Sequence, residues 1–273
     1  MRKQSLQTWR LIRDKKYDGY TNMAKDEAIS IACGDGKSPA TLRFYEWKLP
    51  TISIGYSQKV ESDINLQYCK STGIGIVKRP TGGRAVLHEN ELTFSINTSI
   101  ENPLFPNNIL KSHKKISEAL LLGIHKLGVD AKLQYKSKKQ INRDPVCFSA
   151  SSIYELMVDG KKIVGCAQRR FRNSFLEHGS IPLKLDRLKL ASIFRNGFSL
   201  SEKRLESFHF ENMAGLNELG AGSFTHDRLT ENIIEGFEQY FGIIFREEAL
   251  TDYEIELVRK IRNSNTENRN KFE

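Results

Sequence analysis

Apolar and polar side chains alternate along short stretches in the first two thirds of the chain, which is the period of a half-buried strand. Two such stretches are 41–47 (TLRFYEW) and 51–56 (TISIGY), on either side of Leu49-Pro50. The pattern predicts two strands joined by a short turn, that is, a hairpin. A further short strand is predicted for 131–136 (AKLQYK).

A glycine turn interrupts the next alternating segment. Residues 73–80 (GIGIVKRP) predict a strand that leads into TGGR at 81–84, after which 85–99 (AVLHENELTFSINTS) resumes the alternation. Glu89-Asn90 is a candidate for a second turn. The segment is therefore predicted to fold as strand, glycine turn and strand.

A period of 3.6 residues predicts helices elsewhere in the chain. The clearest helix covers 109–127, and Gly128 supplies a stop signal. Its apolar residues at helical spacing are Ile116, Leu120, Ile124 and Leu127. Near the start, Asn22 is a suitable N-cap for a short helix that ends before Gly34. From residue 183 onward the pattern is mostly helical, over 185–194, 229–242 and 250–263.

Strands in the first two thirds, helices in the last third and no regular βαβ alternation indicate the α+β class. We expect a mixed, largely antiparallel sheet with flanking helices and not a Rossmann fold. One domain is predicted over 1–262, with its helical part from about 183. Residues 263–273 have no apolar pattern and are predicted to form a disordered tail.

The composition is that of a globular protein, with 39% hydrophobic and 27% charged residues. The basic N-terminal stretch lacks the apolar run of a secretory signal, and no segment approaches the ~20 apolar residues of a membrane span. We therefore expect a cytoplasmic protein without membrane association. The four cysteines are Cys33, Cys69, Cys147 and Cys166, and they show neither a CxxC pair nor a zinc spacing with histidine. No bound metal is expected.

The formal net charge of +9 favours acidic partners. Lysines and arginines are scattered along the chain without an RNP, KH or helix-turn-helix signature, so no nucleic-acid partner is expected. Charge alone leaves open a solvated basic surface and a docking patch, and it does not choose between nucleic acid and an acidic protein as the partner of such a patch.

Asp159-Gly160 predicts a two-residue type I′ hairpin turn, because both central positions of that turn need positive φ. Lys162 then shares one face of the hairpin with a mixed set of side chains. These are Glu155, Met157, Val164, Cys166 and Gln168. A lysine near a hairpin tip is often simply solvated, so a functional and a solvated role both stay open. Gly165, inside the strand, marks either a bulge or a close approach by a ligand or another segment.

The glycine turn combines backbone freedom with positive charge. Gly82 and Gly83 allow consecutive backbone N–H groups to converge on one point, and Lys78, Arg79 and Arg84 flank them. The turn therefore suits a phosphate, a carboxylate or a carbonyl oxygen, with a plain tight turn as the alternative. The Walker A spacing is absent.

Taken together, several stretches resemble the lipoate-protein ligase and octanoyltransferase superfamily. They are NMAKDEA, TLRFYEWKLPTISIGYSQ, VKRPTGGRAVLHENELTFSI, VCFSASSIYELMVDGKKIVGCAQRR and LEHGSIPL. The resemblance implies the class II synthetase-like catalytic fold that this superfamily shares with biotin protein ligases. Arg84 after the glycine pair, the run Glu91-Leu92-Thr93 and the context CFSASSIYEL are similar to octanoyltransferases of the LipM type rather than to ATP-dependent ligases.

On this resemblance, Cys147 is the nucleophile and Lys162 contacts the acyl carbonyl. The wall of the acyl pocket is implied to contain Arg79, Thr81, Gly82, Gly83, Arg84 and His88. An octanoyl chain also needs an apolar lining, for which Val77 is suitable. Gly165 is a candidate for the close approach of substrate to backbone.

The resemblance implies that an octanoyl group moves from an acyl carrier protein, through a thioester on Cys147, to a lysine of a lipoyl-domain protein or of a glycine-cleavage H-type protein. No cofactor is expected, because the thioester bond energy is retained. Acidic carrier and lipoyl domains would account for the charge of +9. The alternatives are a lipoate ligase that uses ATP and Mg²⁺ and an amidotransferase between lipoyl proteins. His88 and His178 are expected to act as structural hydrogen-bonding groups rather than as bases.

Overall fold

The computed structural model describes residues 6–135, 153–194, 210–220 and 222–269, and its largest sheet has six strands. These strands are β1 (Gln7–Tyr17), β2 (Thr41–Trp47), β6 (Glu91–Ser99), β10 (Gly165–Arg170), β11 (Ser174–Pro182) and β12 (Ile243–Glu247). In space they follow the order β10-β11-β6-β2-β1-β12. The first four are joined by antiparallel pairing, whereas β1 runs parallel to both β2 and β12.

Two smaller sheets complete the strand inventory of the described residues. The second sheet contains β3 (Thr51–Ile54), β4 (Gly75–Lys78) and β5 (Val86–His88), and the third contains β7 (Lys132–Gln134), β8 (Glu155–Val158) and β9 (Lys161–Lys162). Antiparallel pairs outnumber parallel ones across the three sheets. The predicted α+β fold with a mixed, largely antiparallel sheet is confirmed.

Helices cover both faces of the main sheet. They are α1 (Gly19–Gly34), α2 (Val60–Asp63), α3 (Leu66–Thr72), α4 (Ile109–Lys126), α5 (Arg187–Ile193), α6 (His226–Phe241) and α7 (Asp252–Arg269), with short 3₁₀ turns at Phe210–Asn212 and Leu216–Glu218. The predicted helix 109–127 is confirmed, and all four of its predicted apolar positions are buried.

The main core lies between α4, α6 and one face of the sheet. Gly123 of α4 and Gly236 of α6 let the two helices come close, since a Cβ on Gly236 would lie 2.5 Å from the backbone nitrogen of Gly123. Trp9 of β1 stacks on Phe241 with ring centroids 5.5 Å apart. Helices α1 and α7 lie against the opposite face, where the Arg10 side chain of β1 is bonded to Glu254 of α7.

The first helix begins earlier than predicted. Asp18 is its N-cap, and its side chain accepts a hydrogen bond from the Thr21 N–H at 3.0 Å. The prediction of Asn22 as N-cap is wrong, because Asn22 lies inside the helix and its amide donates to the Glu46 carbonyl at 3.1 Å. Asn22 therefore ties α1 to β2 instead of starting the helix.

The predicted hairpin of 41–47 and 51–56 is also wrong in its pairing, although both strands exist. β2 pairs with β1 and β6 in the main sheet, while β3 pairs with β4 and β5 in the second sheet. The short Leu49-Pro50 connection thus carries the chain from one sheet to the other and opens a space between them.

β1 and β12 were not predicted from the hydrophobic pattern. In β1 the residues Trp9, Arg10, Leu11 and Ile12 are buried in succession, so the strand lacks the alternation of a half-exposed strand. Arg10 breaks the apolar run in the sequence, and the structure stabilises it with the buried Glu254 carboxylate.

The last helix extends to Arg269, which lies within the segment predicted to be a disordered tail, and 270–273 fall outside the described residues. In the described part of the chain, none of the helices combines the length and apolar character that a membrane span requires. The cytoplasmic location stays a prediction.

Candidate active site

A pocket that is open to solvent lies between the main sheet and the second sheet. Its apolar and small lining residues are Met23, Tyr45, Trp47, Val86, Gly165, Cys166, Ala167 and Gly179. Its polar lining residues are Ser53, Arg79, His88, Thr93, His178 and Ser180. An apolar wall with a few converging polar groups is typical of a site for a small organic group.

Arg79 holds the glycine turn in place at one side of this pocket. Its guanidinium donates to the carbonyl oxygens of Gly82 at 2.7 Å, Arg84 at 2.7 Å and Ser53 at 2.8 Å. It also donates to the hydroxyl oxygens of Thr81 at 3.1 Å and Ser53 at 3.2 Å. Arg79 therefore fixes the turn from the buried side, which leaves Gly82 and Gly83 exposed on the other.

Gly55 packs directly against the backbone of the same turn, which is possible because glycine has no side chain. A Cβ on Gly55 would lie 1.9 Å from the carbonyl oxygen of Gly83, so Gly55→Ala must displace the turn. We expect this variant to lose about 1–3 kcal/mol of unfolding free energy, which is the usual cost of overpacking. Chemical denaturation measures the loss. Gly82→Ala is the matched control, because a Cβ there meets no atom within 4 Å; similar losses in both variants would contradict the packing argument.

His88 belongs to a hydrogen-bonded chain at the rear of the pocket. Its Nδ1 lies 2.6 Å from Glu91 Oε1 and its Nε2 lies 2.7 Å from the Ser53 hydroxyl. The imidazole stacks on Trp47 with centroids 4.1 Å apart. Because Ser53 accepts from Arg79, its hydroxyl proton is available to His88 Nε2, and His88 Nδ1 then donates to Glu91.

His178 forms a second chain of the same kind. Its Nε2 lies 2.6 Å from the Thr81 hydroxyl and its Nδ1 lies 3.4 Å from Asp26 Oδ2. Burial lowers the pKa of His178, and the Asp26 carboxylate offsets this only in part. Both histidines thus connect a buried carboxylate to a hydroxyl that also accepts from Arg79, which is the structural hydrogen-bonding arrangement expected for them.

Lys162 lies on the predicted hairpin, in the predicted register. Asp159 and Gly160 have φ values of 48° and 77°, and Met157 pairs with Lys162. The Lys162 side chain is buried, and its Nζ lies 2.5 Å from Glu155 Oε1. The alternative of a solvated lysine is therefore wrong, since the ammonium is enclosed by protein and paired with a carboxylate.

Cys166 connects the pocket with the surroundings of Lys162. A smaller cavity next to Lys162 is lined by His113, Ser117, Tyr154, Glu155, Leu156, Lys162, Val164 and Cys166, and Cys166 also lines the larger pocket. The cavity next to Lys162 and the pocket are therefore neighbours that share one wall residue.

Within the described residues, a group that could hold a metal ion is formed by His113, Cys166 and Glu177, whose ligand atoms lie within 4.8 Å of one another. Glu177 already accepts hydrogen bonds from His113 Nδ1 at 2.8 Å and from Gln168 Nε2 at 2.6 Å. Burial would lower the pKa of His113, but the Glu177 carboxylate outweighs it and raises that pKa. These bonds account for the cluster without a metal ion.

The structure brings together most of the predicted site residues it describes. Arg79, His88 and Gly165 line the pocket, and Thr81, Gly82, Gly83 and Arg84 form the turn beside it. Val77 is buried in a cluster with Met23, Tyr45 and Trp47, behind the lining that these three side chains provide. Cys147 lies outside the described residues.

Several site residues were not predicted. Tyr45, Trp47 and Ser53 line the pocket from strands that the sequence predicted without indicating that they meet there. Glu91 is bonded to His88 behind the pocket. Asp26 had no local signal, because its burial on α1 and its need for a cationic partner follow only from the fold.

The chain matches the sequence profile described as "Lipoyl protein ligase A/B catalytic domain" over residues 18–238. It is 39% identical over 256 residues to the octanoyltransferase LipM of Clostridioides difficile, covering 93% of this chain and 94% of that protein. It is also 39% identical over 261 residues to the octanoyltransferase LipM of Geobacillus kaustophilus, with the same coverage.

Solved structures show the same fold. The bipartite lipoate protein ligase of Thermoplasma acidophilum, described with its E2 lipoyl domain, has a TM-score of 0.79 at 25% identity and covers 94% of this chain and 92% of that chain. A lipoate-protein ligase A bound with ATP has a TM-score of 0.75 at 25% identity, with 94% of each chain covered.

Proposed function

Since the chain belongs to the lipoyl protein ligase A/B catalytic domain family, we propose that it is an octanoyltransferase that holds the acyl group on Cys147 between a thioester donor and a lysine of a lipoyl-domain protein. One observation carries the proposal: octanoyltransferases match this chain at 39% identity over nearly their whole length. The cysteine context CFSASSIYEL supports the assignment of the nucleophile.

The chemistry divides into two acyl transfers. In the first, the Cys147 thiolate attacks the thioester carbonyl of the donor, a new sulfur–acyl bond forms and the donor leaves as a thiolate. In the second, the neutral amine of the acceptor lysine attacks the Cys147 thioester, an amide forms and the Cys147 thiolate leaves. The amine proton passes to solvent or to a protein group. Neither transfer needs ATP or a metal cofactor, because the energy of the donor thioester drives both.

Lys162 supplies a fixed positive charge for these steps. A free cysteine is only a few per cent thiolate at neutral pH, so a nearby cation favours the reactive form. The same ammonium stabilises the oxyanion of each tetrahedral intermediate. The ion pair with Glu155 uses one of the three N–H donors of Lys162 and fixes the direction of the side chain.

The pocket suits the hydrocarbon part of the substrate. Trp47, Val86 and Met23 provide apolar surface, and burial of a methylene there is worth about 0.8 kcal/mol. The glycine turn, fixed by Arg79, closes one side of the pocket and presents exposed backbone at Gly82 and Gly83.

Lys162→Gln tests the role of the ammonium. The amide keeps a hydrogen-bond donor for Glu155 but removes the charge, so we expect kcat/KM for octanoyl transfer to fall by about 100-fold, as when one oxyanion donor is lost. Lys161→Gln is the matched control, because Lys161 is the exposed neighbour on the same hairpin. Transfer is measured from an octanoyl-loaded acyl carrier protein to a lipoyl domain. If the two variants retain equal activity, Lys162 has no part in the reaction.

An ATP-dependent lipoate ligase is the second candidate, because the solved relatives are ligases and one of them has bound ATP. It predicts AMP formation from ATP with free lipoate and no need for Cys147. The octanoyltransferase predicts transfer from octanoyl carrier protein without ATP. An amidotransferase between lipoyl proteins would accept an octanoylated protein as donor, which the same assay tests by exchanging the donor.

The acceptor is proposed to be a lipoyl domain or an H-type protein with an exposed lysine. A structural relative is described together with an E2 lipoyl domain, which supports this class of partner. The net charge of +9 supports both an acidic donor and an acidic acceptor.

A further inference from the structure

An exposed aromatic ring and two cations that pack against it lie next to the glycine turn beside the pocket. Tyr56 is 58% exposed, and both the Lys78 ammonium and the Arg169 guanidinium lie over its ring, at 5.1 Å and 5.2 Å from the centroid. We call these three residues the cationic rim. Lys78 lies at the end of β4, Arg169 lies near the end of β10, and Tyr56 lies in the segment that follows β3.

The cationic rim is anchored to the glycine turn. The Tyr56 N–H donates to the Thr81 carbonyl at 2.9 Å, and Arg169 Nη1 donates to the Pro80 carbonyl at 3.0 Å. Ala167, two residues before Arg169 on β10, lines the pocket. At a strand rise of about 3.3 Å per residue, Arg169 lies about 7 Å along the strand from the pocket.

The two rim cations have no ion-pair partner within 4.0 Å among the carboxylates of the described residues. Glu27 interacts with Arg169 at longer range, and burial raises the pKa of that carboxyl. Lys78 is exposed at the surface, so its charge is accessible to a partner protein.

Distance favours the acceptor over the donor as that partner. A lysine side chain spans about 6 Å from Cα to Nζ, so an acceptor lysine that reaches into the pocket brings its own backbone to the rim. The phosphopantetheine arm of a carrier protein is roughly three times as long, so the surface of the donor protein need not reach the rim.

We propose that Lys78 and Arg169 bind carboxylates that flank the acceptor lysine, and that the rim thereby selects a lysine on an acidic exposed turn. The proposal rests on the proposed function, since it concerns the acceptor of that reaction. Tyr56 packs against both cations and offers aromatic surface to the neighbouring residues of the acceptor.

Direct binding tests the rim without relying on the chemistry. An unmodified lipoyl domain whose lysine is flanked by aspartate or glutamate is titrated into the full chain. We expect Kd to rise about threefold in Lys78→Ala and in Arg169→Ala, and about tenfold in the double variant, as for solvent-exposed charge pairs. Arg169→Lys keeps the charge and is expected to bind nearly as well as the wild type. A Kd unchanged in the double variant overturns the proposal.

Charge reversal gives the sharper result. Lys78→Glu combined with Arg169→Glu should bind the acidic lipoyl domain poorly, and binding should recover when the carboxylates that flank its lysine are replaced by lysines. The matched control is Arg246→Ala, since Arg246 is an exposed arginine on β12, at the opposite edge of the main sheet from β10. Failure of the reversed pair to recover binding would show that the rim does not contact those side chains.

Loading of the chain from octanoyl carrier protein is measured separately as an acyl adduct in the absence of acceptor. We expect the rim variants to lose more in Kd for the lipoyl domain than in the rate of loading. Slower loading with unchanged Kd for the lipoyl domain would assign the rim to the donor and overturn the proposal. Absence of any adduct in the wild type would refute the proposed function, while the Kd values would still decide the role of the rim.

Discussion

Cys147→Ala is expected to reduce octanoyl transfer by about 1,000-fold or more, because the variant lacks the thiolate that carries the acyl chain between donor and acceptor. The wild-type chain, incubated with octanoyl-loaded carrier protein and no acceptor, should gain one octanoyl group by intact mass. Hydroxylamine should remove it, as expected for a thioester. Peptide mapping should place it on Cys147.

Cys69→Ala is the matched control for thiol removal. Cys69 is buried in the core of the second sheet, and burial raises its pKa to about 11, so it has little thiolate at neutral pH. This variant should load and transfer like the wild type. Full transfer by Cys147→Ala would refute the thioester mechanism and favour the ATP-dependent ligase. An adduct mapped to Cys166 would instead move the nucleophile to the wall of the pocket.

Elements with a strong local pattern were predicted well from the sequence. The helix 109–127 has a continuous apolar stripe and a glycine stop, and Gly128 indeed takes a φ of 82° after Leu127. The hairpin at Asp159-Gly160 was set by the backbone preference of two residues, which needs no distant partner.

Strand pairing was predicted poorly because it depends on distant contacts. In the sequence, Leu49-Pro50 looks like a hairpin turn. In the structure, β2 pairs with β1 on one edge and with β6 on the other, so it cannot pair with β3. In the sequence, β1 looks like a charged segment because it contains Arg10. Arg10 can be buried only because a partner in α7, 244 residues away, pairs with it.

The candidate site likewise contains residues with a local sequence signal and residues that meet only through the fold. The glycine turn and Lys162 were recognisable from short motifs, since turns and hairpins leave local signals. The two hydrogen-bonded chains that each join a carboxylate, a histidine and a hydroxyl were not recognisable from the sequence. In one of them, Asp26 and His178 are 152 residues apart and meet only through the packing of α1 on β11. Their role in fixing Arg79 follows from the fold alone.

Arg43 of β2 lies at the centre of the buried charge network behind the pocket. Its guanidinium donates to Asp26 Oδ1 at 2.7 Å and to Asp14 Oδ2 at 2.9 Å, and its side chain is fully buried. It also packs over the Tyr45 ring at 3.9 Å. Burial would raise the pKa of Asp26, but the Arg43 guanidinium and the bonds from His178 and Ser95 hold it below its ordinary value.

Arg43→Ala should therefore lose about 3–5 kcal/mol of unfolding free energy, because it leaves Asp26 buried without its cation. Arg13→Ala is the matched control on the adjacent strand. Arg13 is paired with Glu231 at 2.7 Å, but both side chains are partly exposed, so we expect a loss of less than about 1 kcal/mol. Urea denaturation at neutral pH measures both, and equal losses would show that burial does not decide the strength of these pairs.

The pH dependence of the unfolding free energy provides a second measurement on the same two variants. A carboxyl whose pKa is lowered on folding contributes its full stability above its unfolded pKa of about 3.9 and loses it as the pH falls through the folded pKa. Wild-type stability should therefore decline below about pH 4, and the gap between wild type and Arg43→Ala should narrow there. In Arg13→Ala the gap should stay small throughout. A gap for Arg43→Ala that is constant from pH 7 to pH 3 would contradict the ionic coupling between Arg43 and Asp26.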